Sequence, residues 1–250
     1  MTVPSTLLTL GVTLHPEHTP ARREHIAELA GRLWFGTVWL PLDAAAPPDR
    51  AELAALTRAA APARLGVVLP PGTYAVPASV AADPALLVEL DLPGPVRADA
   101  VAALGGPAGW RARAHPRSPD PYAAGTVVTA ADRASLLVAV ARAVAGRAAA
   151  GHSAADHPVT VALTVSIGRT RSEAEARALR DPALLGAAHP RQAGLFGTLE
   201  EAQDQALALR RAGADALRAI LADEQDVADL LAQLRSVAVG PTPLLHARDR

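Results

Sequence analysis

The chain has 250 residues, half of them apolar, with 24 basic against 25 acidic side chains and a net charge of −1. That balance gives no long-range pull toward nucleic acid or an anionic membrane surface, so a small-molecule or protein partner is expected. Cysteine is absent and every basic side chain is arginine, which excludes disulfides, thiolate nucleophiles, thiolate metal sites, Schiff-base lysines and the phosphate lysine of a P-loop.

Residues 7–14 (LLTLGVTL) form a β-rich apolar run that ends in the polar cluster His15, Pro16, Glu17 and His18. Helical spacing at Ile26, Leu29, Ala30 and Leu33 predicts a helix over 21–33. Residues 37–40 (TVWL) read as a second strand, closed by Pro41 and leading to Asp43; 50–61 read as a helix and 64–69 (RLGVVL) as a third strand. Strands that are apolar along their whole length and alternate with helices point to parallel pairing with both faces covered.

The middle of the chain is less regular. Residues 85–90 (ALLVEL) suggest a fourth strand, whereas 93–118, dense in Gly, Pro and Arg, read as loop around one short helix at 98–104. Regularity returns with a strand at 126–128, an Ala-rich helix over 132–150, the most apolar strand at 159–167 (VTVALTVSI) and a helix over 171–180. Residues 189–196 read as loop.

The closing segment, 196–240, is the best punctuated. Thr198 and Glu201 form a Thr-x-x-Glu capping box, with acidic charge at the positive end of the helix dipole. Arg210 and Arg211 fall in the last turn, and Gly213 is placed for a left-handed exit. A short apolar run at 216–221 and a second helix over 223–237 complete an αβα unit. The count is six or seven βα units, so the fold class expected is α/β: a TIM-type (β/α) barrel, shortened or irregular, with mostly parallel strands, occupying 1–240 as one domain with a tail at 241–250. No window approaches 18 uninterrupted apolar residues and the N-terminus lacks a basic n-region, so a soluble, cytoplasmic protein with no membrane partner is expected.

Several groups are candidates for chemistry, each beside a plainer reading. His15 directly follows the first strand, where a barrel places its active-site loops, and is either a general acid/base or an exposed loop histidine; His18 shares that choice. Asp43, one strand over, either orients His15, contacts a ring, or makes an Asx-type turn before Pro47 and Pro48. His115 with Arg111, Arg113 and Arg117 is a phosphate-binding cluster or solvated loop charge. His189, Arg191 and Gln192 precede Gly197 and Thr198, whose free N–H groups at a helix start bind a phosphate or are simply self-capped. His152 and His157 (GHSAADH) lack a metal-binding pattern and read as surface loop on the opposite, stability face. No metal site, serine elbow, His-Glu-x-x-His motif or dinucleotide fingerprint is present. Trp34 and Trp39 read as core.

Three segments together carry a family resemblance. FGTLEEAQDQALALRRAGAD resembles the Gly-Thr/Ser-Pro-Glu-Glu helix and Ala-Gly-Val/Ala-Asp turn of the bacterial luciferase-like monooxygenase superfamily. VALTVSIGRTRSEAEARAL resembles its late strand and Thr-x-x-Glu-Ala helix, and LAGRLWFGTVWLPLD its early helix and strand. The likeness spans roughly 7–43 and 125–237. It departs from the family at Pro41 and Leu42, where a histidine beside Asp43 is missing, and across 91–122, where no Ser-Gly-Gly-Arg turn is found. The resemblance implies FMN or a deazaflavin bound at the C-terminal ends of the strands, a small organic substrate, oxidoreductase or monooxygenase chemistry carried by the flavin, and homo- or heterodimers. On that reading His15 is the catalytic candidate, and Asp43, Arg191, Gly197 and Thr198 are the cofactor-binding candidates. The alternative it leaves open is a degenerate, non-catalytic relative acting as a binding or partner subunit.

Overall fold

The computed structural model describes residues 8–15, 17–43, 47–70, 76–83, 85–90, 110–113, 125–129, 132–180, 194–221 and 227–239. In chain order the elements are β1 (Thr9–Thr13), α1 (Pro20–Arg32), β2 (Thr37–Pro41), α2 (Arg50–Ala60), β3 (Arg64–Val68), α3 (Ala78–Ala81), β4 (Leu87–Leu90), β5 (Trp110–Arg113) and β6 (Thr126–Val128). There follow α4 (Arg133–Ala149), β7 (Val159–Ile167), α5 (Arg171–Ala178), β8 (Gly194–Gly197), α6 (Leu199–Arg211), β9 (Ala216–Leu221) and α7 (Val227–Val239).

Helix starts are set by local chemistry. Side-chain oxygens of Thr19, Asp49, Asp132, Thr170 and Thr198 each accept a backbone N–H of the first turn, satisfying donors that the helix itself leaves open. Among these helices the reciprocal capping box is found at Thr198 and Glu201, as the sequence predicts. Gly213 follows α6 at φ 103°, the left-handed exit expected there.

Every strand pair among the described residues is parallel. The ladders run β1–β2–β3–β4–β5–β6–β7, then β7–β9, and β9 pairs with β1 again. The TIM-type ring therefore closes with eight strands, and its irregularity lies in β8. β6 covers β7 only over Val159–Val161, and β8 takes the same edge of β7 further on, over Thr164–Ile167. The count of six or seven units expected from the sequence falls short because the segments of β5 and β8 read as loop. Both are four-residue strands, one carrying two arginines and one bounded by glycines; their partners, not their own propensities, hold them extended. The helix expected at 98–104 lies outside the described residues.

Alternation along the strands sorts side chains into two cores. Leu10, Val12, Val38, Leu40, Leu65, Val67, Val161 and Val165 face outward into one large cluster with Ile26, Ala30, Leu53, Leu56, Leu209, Leu231 and Leu234 of the helices. Among the described residues the inward apolar cluster is small: Trp39, Val68 and Leu87. Gly11 and Gly66 leave space for the Trp39 indole; a Cβ on Gly66 would lie 2.5 Å from Trp39 Cε3, and one on Gly11 3.4 Å from Trp39 Nε1. Trp39 is core, as expected, but of the lumen. Trp34 is not: it stands at φ 59° after α1 with 71% of its surface exposed. Among the described residues no helix is long and apolar enough to cross a membrane.

Candidate functional site at the C-terminal end of the barrel

Parallel strands place all their C-terminal ends on one rim, so His15 after β1, Asp43 after β2 and Gly197 at the end of β8 occupy the same end of the barrel. His15 and Asp43 are exposed, on loops that follow neighbouring strands. The His15 ring is held locally: its Nδ1 accepts the Glu17 N–H at 3.3 Å, and the His15 N–H donates to His18 Nδ1 at 3.2 Å. The two rings lie 5.6 Å apart at 47°. Because Nδ1 is an acceptor, the neutral ring carries its proton on Nε2.

Below this rim, on the inward side of β1, the hydroxyl of Thr13 is buried and has no hydrogen-bond partner among the described residues. In register with Thr13 are Trp39 of β2 and Ile220 of β9. Across the lumen, Arg218 of β9 donates from Nη1 and Nη2 to the two carboxylate oxygens of Glu89 on β4. Both side chains are buried, and the guanidinium also stacks on Trp39, 5.2 Å from the ring centroid. Sequence reading did not single out Glu89 or Arg218. They lie 129 positions apart, and only closure of the ring brings them together.

The start of α6 is already occupied by the chain's own anion. Glu201 Oε2 accepts the Thr198 N–H at 3.0 Å, Thr198 Oγ1 accepts the Glu201 N–H at 3.4 Å, and Glu201 Oε1 is paired with Arg171. The hydrogen bond from Arg171, with that from the Thr198 backbone, holds the Glu201 carboxyl below its ordinary range; Arg171 is correspondingly raised by the same partner. Gly197 stands at φ 136°, and a Cβ there would collide with Glu201. A phosphate at Gly197 and Thr198 would have to displace this carboxylate, leaving Arg171 beside it as a cation. Arg191 and the cluster around His115 lie outside the described residues, apart from the backbone of Arg111 and Arg113 in β5.

The opposite rim corrects one expectation. His157 is not a surface residue: it is 2% exposed, its Nε2 lies 2.7 Å from Thr126 Oγ1, and its ring stacks on His152 at 5.4 Å. The Asp of the Ala-Gly-Ala-Asp turn, Asp215, accepts from the Val159 N–H at 2.8 Å and from Arg147 at 2.5 Å, tying the start of β9 to β7 and α4. Among the described residues no cluster of His, Cys, Asp and Glu could hold a metal ion.

No protein-family model and no curated protein sequence matches the chain. Solved structures do. The coenzyme F420-dependent tetrahydromethanopterin reductase of Methanopyrus kandleri superposes with a TM-score of 0.69 at 12% identity, over 93% of this chain and 99% of that one. The monooxygenase RslO1 of Streptomyces bottropensis gives 0.66 at 14% identity, over 92% and 98%. The oxygenating constituent of 3,6-diketocamphane monooxygenase from Pseudomonas putida, solved with FMN, gives 0.66 at 12%, over 93% and 98%. The chain has the α/β barrel fold of these enzymes across nearly its whole length.

Proposed function

We propose that this chain is a luciferase-like oxidoreductase that uses FMN or a deazaflavin to act on a small organic substrate at the C-terminal rim of its barrel. The observation that carries the reading is an all-parallel barrel matched over more than nine-tenths of its length to an F420-dependent reductase and to a monooxygenase solved with FMN. In such folds active sites lie at the C-terminal ends of the strands, and the sequence segments that resemble the superfamily fall on the same scaffold.

The residues at that rim fit the cofactor in part. The orphaned Thr13 hydroxyl offers a hydrogen bond to a ring edge in a buried setting, where an unmet donor is costly. The α6 start fits a phosphate only once Glu201 has moved aside. When bound, the flavin supplies the hydride or oxygen chemistry. The chain's share is positioning and proton handling: His15 presents a donor at Nε2 that can hold or deliver a proton at a substrate oxygen, Asp43 supplies negative charge from the loop after the neighbouring strand, and Arg171 and Arg191 supply positive charge for a phosphate tail.

Titration with FMN and with F420, followed by flavin fluorescence, tests the proposal. Saturable binding of either at micromolar concentration is expected, weakened by Thr13→Val. Absence of binding to both at high micromolar concentration overturns it. That result favours the second reading, a relative without cofactor that serves as a partner subunit. The occupied α6 start supports that alternative, and exposed Trp34 and Leu179 offer apolar contacts for a homo- or heterodimer; a monomer by light scattering, with no partner in a pull-down, would remove it.

A further inference from the structure

A cleft of about 220 Å³ lies between the end of β7, the turn into α5 and the first turns of α7, with Arg169, Glu173, Arg177, Asp229 and Gln233 among its walls. Ile167 and Leu230, which also line it, belong to the outer core, so the cleft lies on the outer side of β7. On the share of about 30 Å³ that each molecule takes in liquid water, it has room for about seven waters or one molecule the size of a small amino acid.

Four of its residues carry charge, and they are of two kinds. Glu173 and Arg177 are engaged in the fold. Glu173 Oε2 accepts the Arg169 N–H at 3.0 Å, Glu173 Oε1 accepts from Arg177 Nη2 at 3.3 Å, and Arg177 Nη1 donates to the Ile167 carbonyl at 2.6 Å. These bonds fix the start of α5 on the end of β7, and the two charges compensate each other. Arg169 and Asp229 are not so engaged. Both are exposed, and among the described residues neither side chain has a hydrogen-bond or ion-pair partner, each other included. One cleft therefore holds an available cation and an available anion that do not meet. A lone anion drawn to Arg169 is repelled by Asp229, and a lone cation drawn to Asp229 is repelled by Arg169. A molecule carrying both charges gains at each end, and the mixed site discriminates against the simple ions.

We propose that this cleft binds a small zwitterion of the amino-acid class, its carboxylate on Arg169 and its ammonium on Asp229. The planar guanidinium suits a carboxylate, which it can meet with two parallel N–H donors, whereas an ammonium needs only a compact negative partner. Because both protein groups are exposed, the attraction is screened by salt. The proposal does not rest on the flavin reading.

The test titrates the full chain, labelled with 15N, with 4-aminobutanoate, butanoate and butylammonium at low salt, and follows the backbone amide signals of Gly168, Arg169 and Asp229. 4-Aminobutanoate should shift them saturably at millimolar concentration, with both single-charge analogues at least about tenfold weaker, a difference of about 1.4 kcal/mol. Arg169→Gln and Asp229→Asn, at exposed positions, should each weaken 4-aminobutanoate to the level of a single-charge probe; melts followed by circular dichroism separate that loss from a loss of fold. A linear, non-saturating shift in the wild-type chain, butanoate or butylammonium binding as tightly as 4-aminobutanoate, or saturable binding unchanged in both folded variants would overturn the proposal.

Discussion

Replacing Arg218 with methionine tests whether the ring is braced across its lumen by charge. Arg218 and Glu89 are 3% and 0% exposed, so neither can exchange its partner for water. At an effective dielectric constant of about 20, opposite unit charges about 4 Å apart attract by about 4 kcal/mol, and the stack of the guanidinium on Trp39 adds about 0.5–2 kcal/mol. Methionine keeps much of the stem and deletes the cation that meets both Glu89 carboxylate oxygens. The expected loss is about 3–5 kcal/mol. For a chain of this length each kcal/mol moves the midpoint by about 2–4 °C, a fall of about 6–20 °C. The double variant Arg218→Met/Glu89→Leu removes both charges and should return to within about 1 kcal/mol of wild type, because desolvation of the pair is then no longer charged against the fold. Urea unfolding of wild type, both single variants and the double, followed by circular dichroism at pH 7, gives the coupling energy directly. A single-variant loss below about 1 kcal/mol, or a double variant no more stable than the weaker single, would refute the reasoning.

Thr198→Ala should cost about 1 kcal/mol through loss of the α6 cap, and Thr198→Ser much less; equal losses in a thermal melt would count against the capping role. Asp215→Ala removes the acceptor shared by the Val159 N–H and Arg147, which keeps only the His157 carbonyl at 3.4 Å, and should cost about 2–3 kcal/mol, with faster hydrogen exchange at the Val159 amide as its local signature. The carboxyls of Glu201 and Asp132 sit below their ordinary range, the first through Arg171 and the second through the Ser135 hydroxyl. The unfolded chain therefore binds protons more readily than the folded one, so their contribution is present above about pH 4 and disappears as pH falls through the lowered values. Glu201→Gln and Asp132→Asn should flatten the decline of melting temperature below about pH 5; a decline parallel to wild type would sink the assignment.

What could be read from the sequence tracks how local each cause is. The α6 start needs only Thr198 and Glu201, three positions apart, and its exit only Gly213, so one turn of sequence specifies each. The strands β1, β3 and β7 announce themselves by apolar runs in the sequence. β5 and β8 do not, because a four-residue strand is stabilised by neighbours whose identity depends on ring closure. The same holds for the lumen: Glu89 sits inside an apolar run and Arg218 inside another, and nothing near either names its partner. His157 reads as loop for a related reason. Its burial comes from Thr126, 31 positions earlier, and from the stack with His152. At the C-terminal rim the sequence places His15 and Asp43 through strand ends alone, which gives their position in the fold but not what they hold.

Trp39, Gly11 and Gly66 also bear on how this barrel can change over generations. One large ring from β2 occupies a volume that barrels of this kind more often fill with branched side chains from several strands. Adding a side chain at 11 or 66 alone drives it into Thr37 or the indole, and shrinking 39 alone leaves an empty space of ring size. Neither first step is cheap, whichever residue moves. Descendants that lose the tryptophan should therefore carry enlarged residues at 11 and 66 in the same lineage, so the three positions form one inherited unit.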